Sequence, residues 1–208
     1  MRTFIINLPR SIERKKHMVE QLTKANIKDY RFFKAVDGKA LERSEINYTT
    51  SYRSMKKGEL GCYMSHLKVV KLCNETFNNY DLVLEDDAIL CDNFIEKVKD
   101  LVKHAPKDWD IILLSTTNIW LKCINNGTLK LDKIQINKKL SKITSDHYGN
   151  QGYLVSKRAI GTMLYHEYPI KYPIDLFPTR IGLNVYIPNE EWLVTQRGGR
   201  GFRSNTMS

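Results

Sequence analysis

The sequence predicts an α/β domain, a mostly parallel sheet with helices on both faces. Three observations predict it. Short apolar runs alternate with segments of helical period through the first half of the chain, the pattern of repeated strand–helix units. Polar or glycine-bearing stretches follow those runs directly, at Asn7 to Arg10, Asp37-Gly38 and Glu85 to Asp87. Ligands in such sheets bind beyond the carboxyl ends of the strands. The 208 residues are 42% hydrophobic and 27% charged, which supplies a core for one domain.

Each element has a local reason. Thr3 to Leu8 is an apolar run suited to a buried strand, and Pro9 stops it. Ser11 offers an N-cap, and Ile12, Met18, Val19, Leu22 and Ala25 mark one helical face. Phe32 to Val36 reads as a second strand ending in the Asp37-Gly38 turn. Residues 39 to 57 are polar, lack a clear period and read as a loop. Gly58 to Asn74 return to helical spacing, and Tyr80 to Leu84 form a third strand. Asp92 is placed to cap a helix whose face is Phe94, Ile95, Val98, Leu101 and Val102. Asp110 to Ser115 is a fourth strand. Residues 120 to 136 alternate and contain Asn126-Gly127, a strong hairpin signal, so a small hairpin-containing lobe is expected. Gln151 to Ser156 reads as a strand and Lys157 to His166 as a helix. Asn184 to Pro188 and Trp192 to Thr195 are late strands, and from Gln196 the chain is rich in glycine and arginine.

Net charge and targeting signals bound the setting. The charge of +10 favours an anionic contact: nucleic acid, an anionic membrane surface or an acidic substrate. A solvated basic surface is the plainer alternative. No run approaches the roughly 20 apolar residues that span a membrane. The opening Met1 to Asn7 turns polar too soon for a signal peptide, and a cytoplasmic protein is expected. Cys62, Cys73, Cys91 and Cys123 form no CxxC pair and read as buried free thiols.

The acidic triplet Glu85-Asp86-Asp87 is the sharpest chemical feature. Side chains alternate along a strand, so Glu85 and Asp87 are expected on one side and Asp86 on the other. Two carboxylates at a strand end suit a hard cation such as Mg2+ or Mn2+, which also bridges phosphate oxygens. A polar strand exit that caps the next helix is the plainer alternative. Arg10 and Arg14 carry guanidinium forks suited to phosphate. Gly58 and Gly61 open a helix that should avoid glycine, which implies close backbone approach, and Ser65 and His66 are polar among apolar neighbours. The run His147 to Tyr153 mixes aromatic rings, amides and glycines, a composition that holds sugars as readily as it leads into a strand. Asp175 is an acid among apolar neighbours; burial would raise its pKa toward that of a general base, and a structural cap is the alternative.

Taken in order, these segments resemble glycosyltransferase family 25, which includes lipooligosaccharide and collagen galactosyltransferases. The resemblance rests on Ile6-Asn7-Leu8-Pro9-Arg10-Ser11 with Glu13-Arg14, then Phe33 to Gly38, Gly58 to Cys62 with Ser65-His66, and Leu84 to Ala88. Gly149 to Ser156 and Pro173-Ile174-Asp175 match its pattern downstream. It implies a GT-A type fold, a UDP-sugar donor, Mn2+ or Mg2+, and inversion at the anomeric carbon. On that basis Glu85 and Asp87 are the expected metal ligands. Asn7, Leu8, Arg10, Arg14, Ala35, Asp37, Gly58, Ser65, His66 and Asp86 are expected on the donor side. His147, Asn150, Gln151 and Tyr153 are expected on the acceptor side. Asp175 is the expected base, with Asp146 in reserve. The donor part spans about residues 1–115, the acceptor part about 116–195 and a basic tail 196–208 of a single domain. The family often ends in Ser-Asp where this chain has Ser204-Asn205, so no terminal acidic ligand is expected.

The expected activity is transfer of a hexose, galactose first, to an anionic saccharide or glycolipid acceptor in lipopolysaccharide biosynthesis, with peripheral contact at the inner membrane. Two other readings differ in class. A metal-dependent phosphoryl hydrolase would use the same acids, but the sequence lacks a clear histidine cluster to complete it. An RNA-binding protein would use the Arg197 to Arg203 segment, which is single and short. No nucleic-acid partner is expected.

Overall fold

The computed structural model describes residues 1–49 and 55–198. In chain order the elements are β1 (Thr3–Asn7), α1 (Ile12–Lys24), β2 (Tyr30–Lys34), a 3-10 turn at Gly38–Ala40, α2 (Arg43–Thr49), α3 (Lys57–Asn74), β3 (Tyr80–Glu85), β4 (Ala88–Leu90), α4 (Phe94–His104) and β5 (Ile111–Leu113). They continue with α5 (Asn118–Asn125), β6 (Lys133–Gln135), β7 (Leu140–Ile143), β8 (Gly152–Ser156), α6 (Lys157–Tyr165), α7 (Phe177–Arg180), β9 (Val185–Pro188) and β10 (Val194–Gln196).

An eight-stranded sheet in the order β2-β1-β3-β8-β5-β9-β7-β6 forms the centre, and β10 pairs with β4 in a separate ribbon. Within the large sheet only β8 and β7 run against the other strands. Strand alternation sorts the core into two layers. Phe4, Ile6, Val83, Ile111, Tyr153 and Val155 face α3 and α6, joined there by Leu60, Tyr63, Ile160 and Met163. Ile5, Leu82, Leu84, Ile112 and Leu154 face α1 and α4, with Met18, Leu22, Phe94, Val98 and Leu101. The mostly parallel α/β sheet with helices on both faces is therefore the observed architecture.

Local departures have physical reasons. The described part of residues 39–57 is not all loop. Asp37 accepts a hydrogen bond from the Lys39 N–H and caps the 3-10 turn, and α2 follows. Over residues 39–46 only Leu41 is buried, so the apolar period that announces a helix never develops. Asn126-Gly127 does not turn a hairpin: Asn126 caps the end of α5, and Gly127 sits at φ +75° with its N–H on the Ile124 carbonyl. The left-handed conformation that suits a hairpin turn also ends helices. The hairpin is instead β6–β7, which extends the edge of the main sheet beyond β9.

Two cap assignments shift as well. Asn93, at φ 56°, takes the N-cap of α4, and Asp92 pairs with Lys24 at 2.8 Å. Ser11 stands at the N-cap of α1 without a side-chain bond. Met18 and Leu22 are buried as expected, but Ile12 is 62% exposed while Arg14 and His17 are buried. The first turns of α1 cover the polar strand ends rather than the apolar sheet.

Candidate active site

β1 and β3 lie side by side, and their carboxyl ends bring Asn7 next to the acidic triplet. Glu85 is the last residue of β3, so the strand pleat stops before Asp86 and Asp87, which form a tight turn. Alternation does not send Asp86 away: all three acids line one cleft. Asp86 is fully engaged there. Asn7 Nδ2 donates to its Oδ2 at 2.8 Å, and the Arg14 guanidinium lies 2.7 Å from its Oδ1. The pair is buried, which fixes the turn against α1.

Glu85 and Asp87 remain less satisfied. Asp87 accepts from Gln196 Nε2 at 3.1 Å and sits 3.5 Å from Arg14, but its buried Oδ1 has no hydrogen-bond partner. Burial raises both carboxyls to about 7, helped at Glu85 by repulsion from Asp86 and at Asp87 by repulsion from Glu85, with Arg14 opposing. Glu85 reaches His66 Nε2 at 3.3 Å, and His66 Nδ1 lies 3.1 Å from the Tyr153 hydroxyl. Burial pushes His66 down to about 4 and keeps Tyr153 protonated. A neutral imidazole then accepts from Tyr153 and donates its Nε2–H to Glu85.

The opposite wall comes from the turn after β2 and the start of α3. Arg10 ion-pairs with Asp37, whose carboxyl it holds below the usual range. Ser65 Oγ donates to the Gly61 carbonyl at 2.7 Å and accepts from the Val36 N–H at 2.8 Å. Those bonds bind α3 to the turn. Glycine is required at the crossing: a Cβ on Gly61 would stand 2.6 Å from Gly38 N and 2.8 Å from the Val36 carbonyl oxygen. Leu8, Arg10, Arg14, Ala35, Asp37, Gly58, Ser65, His66 and the acidic triplet all line this cleft. Asn7 stands behind it, holding Asp86.

A second cleft adjoins the first, and Cys62 and Glu85 line both. It contains Asp175, Gln151, Trp120 and Tyr148. Asp175 Oδ1 accepts from the N–H groups of Gly149 (2.7 Å) and Asn150 (3.2 Å). Burial nonetheless raises its carboxyl to about 6. Asp146 is tied to the Arg180 guanidinium through both oxygens, and it is not among the residues lining either cleft. Of the residues expected on the acceptor side, only Gln151 lines this cleft. His147 is buried under Trp192 with Nε2 on the Ser115 carbonyl, Tyr153 is buried against His66, and Asn150 is buried.

Sequence reasoning passed over several residues here. Trp120 packs at 5.2 Å between ring centroids on Tyr148, a member of the aromatic and amide run marked in the sequence, and the two give the second cleft an aromatic wall. Gln196 reaches Asp87 only because β10 pairs with β4. His17 donates to the Ala88 carbonyl and accepts from Arg197, whose own N–H bonds the Asp87 carbonyl. No local pattern marks Trp120, Gln196 or His17. The glycine-arginine segment beyond residue 198 and Ser204-Asn205 lie outside the described residues.

A mostly parallel sheet whose strand ends carry an acidic turn beside a cleft is the arrangement of the GT-A fold. Solved structures bear this out: an active-site mutant of LgtC aligns with TM-score 0.52 at 8% identity over 96% of this chain and 88% of that one. The galactosyltransferase LgtC in complex with donor and acceptor sugar analogues aligns at 0.50, 8% identity and the same coverage. The chain belongs to glycosyltransferase family 25 (LPS biosynthesis protein), whose model matches residues 1–178. Among curated relatives, procollagen galactosyltransferase 1 of Danio rerio is 27% identical over 84% of this chain and 30% of its own length. Human procollagen galactosyltransferase 2 is 31% identical over 57% of this chain and 21% of its own. A glycosyltransferase 25 family member of Aedes aegypti is 27% identical over 91% of this chain and 32% of its own. The chain thus spans less than a third of the length of these relatives.

Proposed function

We propose that this chain transfers a hexose, galactose first, from a UDP-sugar to an anionic saccharide or glycolipid acceptor, with inversion at the anomeric carbon. One observation carries the reading: residues drawn from β1, the β2 turn, α3 and the end of β3 converge on one cleft, which opens at Glu85 into a second cleft holding Asp175. Arg10 and Arg14 give the first cleft guanidinium groups suited to a diphosphate. Glu85 and the unpartnered Asp87 Oδ1 would hold Mn2+ or Mg2+; two under-satisfied, mutually repelling carboxylates fit a hard divalent cation. Such a cation, when bound, neutralises charge on the departing diphosphate.

The chain's own residues supply the rest. Arg14 and Asn7 pin the acidic turn, and the Tyr153–His66 pair orients Glu85. Asp175 spends Oδ1 on two backbone N–H groups, which aims the carboxylate. With a pKa raised to about 6 it can take the proton of an acceptor hydroxyl near neutral pH. Trp120 and Tyr148 offer ring faces to the acceptor sugar.

The net charge of +10 supports an anionic acceptor. Action at the cytoplasmic face of an inner membrane belongs to the same proposal; no helix among the described residues is long and apolar enough to cross a membrane. The test is calorimetry of UDP binding with Mn2+ and with EDTA. Binding is expected only with the metal and is expected to be lost in the Glu85→Ala, Asp87→Ala double variant. Tight metal-dependent UDP binding by that variant would overturn the assignment. A panel of UDP-hexoses scored for slow hydrolysis then identifies the sugar.

A further inference from the structure

We infer that the junction of the two clefts is a second cation site, formed by Cys62 Sγ, His66 Nε2 and Glu85, that selects a thiophilic divalent ion of the Zn2+ class. The three donor atoms lie within 4.8 Å of one another. They are sulfur, nitrogen and oxygen, the donor set of a borderline-soft ion rather than of Mg2+ or Mn2+. In a tetrahedral zinc site of ordinary bond lengths, neighbouring donors stand about 3.3–3.6 Å apart. His66 Nε2 and Glu85 Oε1 already stand 3.3 Å apart, long for a charge-assisted hydrogen bond.

The surroundings agree. With an ion on Nε2 the ring takes its Nδ1–H tautomer, and the Tyr153 hydroxyl changes from donor to acceptor and holds the ring, the outer partner that imidazole ligands require. Burial first, and then the carboxylates of Glu85, Asp175, Asp87 and Glu59, push the Cys62 thiol well up, so the thiolate forms there only with a cation, which enters a field of negative charge. Cys62 and His66 stand one turn apart on α3, so both ligands come from one rigid element. Three protein ligands leave a fourth position open toward the clefts.

An ion so held takes Glu85 away from the cation proposed at Glu85 and Asp87. Soft cations would then inhibit transfer at metal concentrations where Mn2+ supports it, a consequence that rests on the proposed transferase reading. Binding itself does not rest on it, and the two are measured separately.

The experiment is titration of the reduced, metal-free full chain with Co2+ as a spectroscopic stand-in, followed by Zn2+ displacement. A thiolate-to-cobalt charge-transfer band at one equivalent is expected, abolished by Zn2+. The band is expected to vanish in Cys62→Ser and to weaken at least tenfold in apparent affinity in His66→Gln. It should persist in Cys91→Ser and Cys123→Ser. Circular dichroism verifies that each variant is folded, and Cys62→Ala replaces any that is not. Absence of the band in folded wild-type protein, or its survival in Cys62→Ser, overturns the inference. Mn2+-dependent UDP binding, measured on the same wild-type sample, reports only on the Glu85–Asp87 assignment, so either reading can fail alone.

Discussion

Asp87→Asn should make the metal-free protein more stable above neutral pH, although it removes a proposed metal ligand. The carboxyl is 2% exposed, one oxygen is unpartnered, and burial with repulsion raises it from 3.8 to about 7. A rise of that size corresponds to on the order of 4 kcal/mol, and the repulsion is shared with Glu85 rather than counted twice. Below about pH 4 both the folded and unfolded carboxyls are protonated and the cost is absent. As pH climbs, the unfolded carboxyl ionises first while the buried one keeps its proton. The folded state then binds more protons, so stability falls with rising pH until about 7, where the full cost stands. Asparagine retains an oxygen for Gln196 and removes the charge, but forfeits attraction to Arg14 at 3.5 Å. A net gain of roughly 1–3 kcal/mol at pH 8 is expected, with most of it gone toward pH 4. Urea denaturation in EDTA at the two pH values measures it. A variant less stable than wild type at pH 8, or with an unchanged pH slope, refutes the reasoning.

Gly61→Ala should destabilise by about 1–3 kcal/mol and weaken UDP binding, because its Cβ meets backbone atoms of Gly38 and Val36 that cannot rotate away; thermal denaturation at the wild-type midpoint would contradict this. Asp175→Asn should lower kcat by roughly 100-fold or more with metal-dependent UDP binding retained, and wild-type kcat/KM should rise through about pH 6 as the base ionises. Raised salt should increase the acceptor KM more than the donor KM if the acceptor is anionic; an acceptor KM indifferent to salt argues for a neutral one.

The sequence by itself determined the elements whose cause is local and the residues whose chemistry is declared by type. Apolar runs placed β1, β3, β5, β8 and β9 within a residue or two, because a buried strand writes its burial into consecutive positions. The carboxyl ends of β1 and β3 and the turn after β2 were marked by Asn7, Arg10, Asp37 and the acidic triplet; all but Asn7 line the first cleft, and Asn7 holds Asp86 from behind. Gly58 and Gly61 announced a close backbone approach without naming the partner.

Tertiary structure alone decided matters of pairing and facing. Helix α2 was hidden because its first turn, Arg43 to Glu45, is exposed and shows no apolar period, and Asn126-Gly127 misled because one backbone conformation serves two turns. Asp86 entered the cleft because the pleat ended one residue earlier, a boundary that strand periodicity does not mark. Tyr153 and His147 look like sugar-binding residues by type, yet packing against His66 and Trp192 buries them. Gln196 reaches Asp87 across 109 residues of chain, and Trp120 on α5 reaches the second cleft beside Tyr148. Such contacts depend on where the folded sheet carries each strand, which no local pattern of residues encodes.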